Sequence, residues 1–267
     1  MTVLARVIPI GTLGGARAGR LIERNVAIYR RTWWVLASGL FEPLFYLLGM
    51  GFGLGGLVGN VTLPDGRSVS YGVFVAPALL ASSAMNGAMY EATFNFFFKL
   101  RYQKTFDAIL STPLGPADIA LGEVTWALVR GTLYAAAFIV FAALLGLIIS
   151  PWAVLALPVA LLIGFSFGAV GMAATSFMRS WQDFDLVQLV VLPMFLFSGT
   201  FFPLSAYPAP LQLVVELTPL YHAVALERAV TLGAFSPGNL VDASYLLVMG
   251  LIGLAIVGRR IDRLLLK

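Results

Sequence analysis

The sequence predicts an all-α, polytopic membrane protein, and three observations predict it. The 267 residues are 60% hydrophobic and 11% charged, with a mean hydropathy of +0.91; a soluble domain carries about 25% charged residues. Stretches long enough to cross a bilayer, about 20 apolar residues each, recur along the chain, and residues 68–90 and 131–149 hold no charge at all. The apolar runs are continuous rather than alternating with a period of two, which argues against a transmembrane β-barrel.

The chain reads as one transmembrane domain, 1–267, with an N-terminal interfacial segment (1–32), a six-span bundle (33–258) and a tail (259–267). Charge-poor stretches place the spans near 33–57, 71–95, 120–149, 152–178, 185–203 and 241–258. The first 31 residues hold six arginines and no uninterrupted apolar core, so no cleavable signal peptide is expected. Residues 17–31 set Arg17, Arg20 and Arg24 on one helical face, with Leu21 and Ile28 turned elsewhere. That pattern suits an interfacial amphipathic helix leading into a Trp33-Trp34 anchor; a disordered basic arm is the alternative.

Charge fixes the expected orientation. Arg6, Arg17, Arg20, Arg24, Arg30, Arg31, Lys99, Arg101, Lys104, Arg179, Arg259, Arg260, Arg263 and Lys267 are 14 of the 17 basic residues. Six spans with both termini cytoplasmic put all of them on one side, as the positive-inside rule requires. Arg67 and Arg228 then fall outside and Arg130 within span 3. The net charge of +4 is a matter of topology, not of nucleic-acid binding. Cysteine is absent, which excludes disulfides and thiol chemistry.

Between spans 2 and 3 the segment Gln103–Pro113 is mixed and interrupted. A short amphipathic helix with Phe106, Ile109 and Leu110 as its apolar face, ended by Pro113, forms a docking surface for a soluble partner. Between spans 5 and 6, residues 201–240 lie outside by the charge count, yet 186–215 carry no charge and include Pro193, Pro203, Pro208 and Pro210. A broken, partly re-entrant cap is expected there.

Several motifs have two readings. The glycines of Leu47–Gly59 resemble a dinucleotide loop only in spacing, since they follow a span rather than a strand; Gly49/Gly53, Gly51/Gly55 and Gly55/Gly59 suit close helix packing better. Asp183 and Asp185 form a DxD pair, which is either a metal-assisted transferase site or a helix start that favours acids. Asn60-Val61-Thr62 is a glycan sequon on an outside loop, relevant only in a secretory pathway. His222, the lone histidine, is a structural hydrogen bonder. Glu42, Glu91, Glu123 and Arg130 sit in or near apolar spans, where an ion costs at least about 2.5 kcal/mol. They suggest an interhelical charge network near the cytoplasmic side, either as glue between helices or as a proton relay. Ser82, Asn86 and Tyr90 on span 2, with Gln188 and Ser198 on span 5, form polar stripes that face protein or a cavity. They fit a path for an amphipathic molecule, and plain packing fits them too. No P-loop is present, because none of Lys99, Lys104 and Lys267 follows glycine, and HExxH is absent. Any ATP-driven work must come from another chain.

Three stretches carry a resemblance: Glu91–Pro113, Asp118–Arg130 and Ser198–Arg228. They resemble the permease subunits of type-2 ATP-binding-cassette exporters, most of all the nodulation-factor, or lipo-oligosaccharide, exporter permeases, with antibiotic-resistance permeases nearby. The resemblance covers nearly the whole chain. It implies a connecting helix at the N-terminus and a coupling helix within 99–113, with Gln103, Lys104, Thr105, Phe106, Asp107, Ile109, Leu110, Thr112 and Pro113 meeting the ATPase. It also implies two permeases side by side, as a homodimer or heterodimer, over two ATP-binding subunits that hold the ATP and magnesium. This chain would carry no cofactor of its own, and spans 2 and 5 would line the route. The expected role is non-enzymatic: export of a glycolipid, lipo-oligosaccharide or drug from the cytoplasmic leaflet of the cell membrane. Two alternatives stand beside it, a membrane-embedded transferase using Asp183 and Asp185 and a proton-coupled secondary transporter.

Overall fold

The structure, a computed structural model, describes residues 15–63 and 65–265. Helix α1 (Gly15–Arg31) precedes α2 (Trp33–Tyr46), which runs on through a π-helical stretch (Leu47–Leu54) into α3 (Gly55–Val58). A two-stranded antiparallel hairpin follows, β1 (Asn60–Thr62) with β2 (Ser68–Ser70), in the register Asn60↔Ser70, Val61↔Val69, Thr62↔Ser68. The sequon residues thus form a strand rather than a loop. The Arg67 backbone N–H and Nε donate to the Asp65 carboxylate at 3.0 and 2.7 Å and hold its pKa below the usual carboxylate range.

Helix α4 (Tyr71–Tyr90) continues through a π-helical turn (Glu91–Asn95) into α5 (Phe96–Arg101). Then come α6 (Thr105–Leu110), α7 (Pro116–Leu144) and, after a 3-10 turn (Pro151–Leu155), α8 (Ala156–Thr175). A second 3-10 turn (Trp181–Asp183) leads into α9 (Phe184–Leu196), and the chain ends with α10 (Ala209–Glu216), α11 (Pro219–Leu232) and α12 (Gly238–Leu265).

Among the described residues four helices are long and apolar enough to cross a membrane: Tyr71–Arg101, Asp118–Leu144, Pro151–Thr175 and Gly238–Arg260. The pair α10–α11, bent by 83°, makes a fifth if it crosses as one piece. The six expected spans are not all reached, because the apolar part of the first is only Pro43–Val58. The fifth, α9, has 13 residues; at 1.5 Å per residue that is about 20 Å, against a core of about 30 Å. Pro193 lies in the last turn of α9, and Gly199 just beyond adopts a left-handed φ of +68°.

The bend between α10 and α11 has a local cause. Pro219 opens α11 where no amide donor is needed, and Thr218 before it is extended at ψ 134°, since a residue preceding proline avoids the helical region. Tyr245 Oη donates to Leu217 O at 3.0 Å and fixes the bend against α12. His222 Nδ1 meets Asp242 Oδ1 at 2.7 Å and stacks on Tyr245, in line with the structural role read for it.

Helix α4 is the axis of the bundle, with α7, α8 and α11 packed around it. Small residues permit this. A Cβ on Gly87 would sit 3.1 Å from Gly131 Cα, and one on Gly253 would sit 2.8 Å from backbone atoms of Ala169 and Val170. The expectation of close packing at Gly49, Gly51, Gly53, Gly55 and Gly59 holds at Gly51 and not at the other four. All four face open space within this chain, and only Gly51 of that stretch meets a neighbour, Gly72.

Candidate functional site

At one end of the bundle α1, α4–α5 and α7 close around buried ions. Glu91 and Asn95 are four apart on the π-helical turn, and Glu123 and Arg130 are seven apart on α7, so each pair shares a face. Glu91 and Glu123 are 1% exposed and Arg130 is 4% exposed. Arg130 Nη1 donates to Glu91 Oε2 at 2.7 Å, Asn95 Nδ2 donates to the same oxygen at 2.6 Å, and Tyr29 Oη at 3.2 Å. Lys99 Nζ bridges Glu91 Oε1 at 3.0 Å and Glu123 Oε2 at 2.6 Å. Arg130 Nε donates to Tyr134 Oη at 3.0 Å, and the guanidinium lies 5.2–5.6 Å from the rings of Tyr29, Tyr90 and Tyr134.

Two carboxylates thus face two cations, and the charge balances inside the protein. Burial, reinforced by the Glu91 carboxylate, pushes the Tyr29 phenol up from its ordinary pKa. The network expected from Glu91, Glu123 and Arg130 is present; the side chain of Glu42 lies outside the described residues. Lys99, which lies beyond the expected end of span 2 at residue 95, is a central member, because the helix continues to Arg101. Tyr29 and Asn95 also went unread. Asn95, one turn beyond Glu91, left a spacing signal, whereas Tyr29 left none.

Below the network lies the segment expected to dock a partner. The chain turns sharply at Lys104, whose φ of 49° is left-handed, a conformation uncommon for a residue with a Cβ. Thr112 Oγ1 donates to Ile109 O at 2.6 Å and Ser111 Oγ to Ala108 O at 2.7 Å, closing the helix end. Phe106 is fully buried against Phe96, and Ile109 is 9% exposed in a cluster with Leu21, Ile119 and Met172. Leu110 packs at the edge of that cluster. The apolar face of α6 therefore points into this chain and cannot itself be a docking face. Gln103, Lys104, Asp107, Ser111, Thr112 and Pro113 are exposed, and Thr105 is half-buried. An open groove of about 400 Å³ separates α6 from α1, and Arg20, Arg24, Gln103, Lys104, Thr105 and Thr112 line it.

The polar stripes are dispersed. Ser82 and Asn86 border a gap of about 10 Å³ among Pro43, Tyr46, Leu79 and Phe195, room for one water at most. Tyr90 turns to Arg130, and Gln188 is exposed. Ser198 is buried, bonded to Met194 O and 3.1 Å from Thr218 Oγ1. Asp183 accepts the backbone N–H groups of Arg179 and Ser180 at 2.7 and 3.2 Å, and these bonds hold its pKa low. It is a cap for the turn before α9. Asp185 is exposed, and no group of three or more His, Cys, Asp or Glu suited to a metal occurs among the described residues.

Comparison with known proteins agrees with the resemblance. Residues 18–232 match the family model described as ABC-2 type transporter. The chain is 38% identical over 220 residues to Nodulation protein J of Rhizobium meliloti (strain 1021), covering 78% of this chain and 81% of that one. It is 35% identical over 260 residues to Nodulation protein J of Rhizobium leguminosarum bv. viciae, covering 94% and 97%. Long apolar helices and a match over most of the chain leave one conclusion: the chain belongs to the ABC-2 type transporter family, as a multi-pass transmembrane permease rather than an enzyme.

Proposed function

We propose that this chain is the transmembrane subunit of an ATP-driven exporter, moving an amphipathic or lipid-linked molecule, foremost a lipo-oligosaccharide, out of the cytoplasmic leaflet. The observation that carries the reading is the construction of α6. Its apolar side is fastened into the chain by Phe106 and Ile109, while Gln103, Lys104, Asp107 and Ser111 face outward beside a basic groove. Directly behind it, the Glu91–Lys99–Glu123–Arg130 network joins α4–α5 to α7, and Tyr29 ties α1 to it. A force applied to α6 by a partner would move packed helices as bodies, because such contacts switch between discrete arrangements and do not deform smoothly.

With no P-loop lysine on this chain, ATP and its magnesium belong to a separate ATP-binding subunit, two copies serving two permeases. ABC-2 permeases generally work with such a subunit. Six crossings with both termini cytoplasmic complete the reading, the run from α2 to α3 and helix α9 supplying the first and fifth. The pair α10–α11 is then the outer cap and exit gate, and Tyr90 and Gln188, the exposed members of the polar stripes, border the route between two copies, while Ser82 and Ser198 are buried within the chain. The cargo follows from the relatives' link to nodulation together with the lipo-oligosaccharide branch that the sequence resembles.

Charge reversal of the exposed face tests the docking. Asp107→Lys combined with Lys104→Glu is expected to abolish co-purification of the ATP-binding subunit while the permease melts normally. Undiminished co-purification of the double variant would remove α6 as the docking element.

A further inference from the structure

Glu227, on α11, is fully buried, and neither carboxylate oxygen has a hydrogen-bond partner among the described residues. Its neighbours along the same helix, Ala223, Val224 and Val230, are buried and apolar. No charged group of the elements packed on α11 bonds the Glu227 carboxylate among the described residues; Arg67 of the hairpin reaches α11 only at Leu232 O, to which it donates at 3.1 Å. Helix α8 and the 151–155 turn have no titratable residue. On α4, Tyr71 lies near Arg228. On α12, Asp242 is engaged with His222 and Tyr245 with Leu217, while Arg260 bonds Ser176 far along the helix. Glu216 on α10 and Asp185 on α9 are exposed. On α11 itself, Arg228 donates to Gly199 O at 2.6 Å and to Thr200 O and Phe74 O at 3.4 Å, and Tyr221 lies near Arg228.

An anion with neither a cation nor a donor in such a place is far costlier than the neutral acid. We propose that Glu227 is a proton-binding site of the α10–α11 pair: it carries a proton while the pair is packed as seen here and releases it to water when the pair opens. The proposal rests on the reading of that pair as a movable gate, and it adds a proton to the transport cycle. The sign follows from the two states. The open acid ionises in the ordinary range near 4.3, whereas the packed acid keeps its proton well above that. Opening therefore releases one proton at neutral pH, and a rise in pH favours the open state by up to about tenfold per unit.

The chain has no cysteine, and Val215 on α10 is fully buried. Val215→Cys thus gives one thiol that a maleimide reaches only when the pair opens. Labelling rates are measured in nanodiscs, where both faces meet the same buffer, so the outcome does not depend on membrane orientation or on export. Thiol ionisation is common to Val215→Cys with and without Glu227→Gln, and the ratio of the two rates isolates Glu227. The ratio is expected to rise by about tenfold per unit between about pH 5 and pH 7; a constant ratio overturns the proposal. Should the amide variant fail to fold, Glu227→Met, neutral and of similar length, replaces it. The infrared difference spectrum of parent minus variant gives a second readout. An isolated, protonated carboxylic acid carbonyl band at neutral pH is expected, and a carboxylate band in its place overturns the assignment.

Discussion

Lys99 holds two buried carboxylates with one ammonium group, at 3.0 and 2.6 Å, and the charge balance of the network depends on it. Lys99→Met leaves Glu91 and Glu123 sharing a dry site with Arg130 alone. The expected loss is about 3–5 kcal/mol, read as a lower melting temperature in detergent. Glu123→Gln added to that variant should restore part of the loss, because the second oxygen of Glu123 has no partner to lose. An unchanged melting temperature for Lys99→Met would show that the network does not hold the helices. The sequence revealed Glu91, Glu123 and Arg130, since charges inside apolar runs are conspicuous. It concealed Lys99, because counting charge-poor residues ends a span at the first cation. A cation that pays its desolvation through two carboxylates on neighbouring turns and helices extends the helix instead, and that pairing is visible only in three dimensions.

At the scale of elements, α6 has one face fastened into the chain and an exposed face that is proposed to dock the partner. Phe106→Ala should cost about 3–5 kcal/mol, as large-to-small changes at a fully buried ring do, and should lower the melting temperature of the permease alone. Asp107→Ala, on the outward face, should leave melting unchanged and weaken only association with the ATP-binding subunit. A stable Phe106→Ala would place that ring at the surface and return the apolar face to docking. The amphipathic pattern of 103–113 was legible, but which face looks inward was not, since a partner and the chain's own core both demand the same apolar spacing. Proline signals were legible as breaks: Pro219 marks the α10–α11 bend, and Pro193 lies in the last turn of α9. The shortness of α9 was not legible, because residues 197–203 are as apolar as a span while folding as irregular chain.

For the whole molecule, the positive-inside count leads to six crossings with both termini cytoplasmic, two more than the long helices alone supply. Single cysteines at positions 20, 65 and 262 of the cysteine-free chain report it in intact cells. Position 65 should label from outside, and positions 20 and 262 only after permeabilisation; the reverse pattern inverts the molecule and places α6 out of reach of any cytoplasmic ATPase. The family was legible because its marks lie in three long stretches; the cargo was not, because polar residues scattered on apolar helices fit helix packing as well as they fit a path. The most direct measurement is transport in inside-out vesicles that hold the permease with and without its ATP-binding subunit. Lipo-oligosaccharide should accumulate in the lumen only when both subunits and ATP are present. Accumulation driven by an imposed proton gradient, with the permease alone and no ATP, would contradict the account.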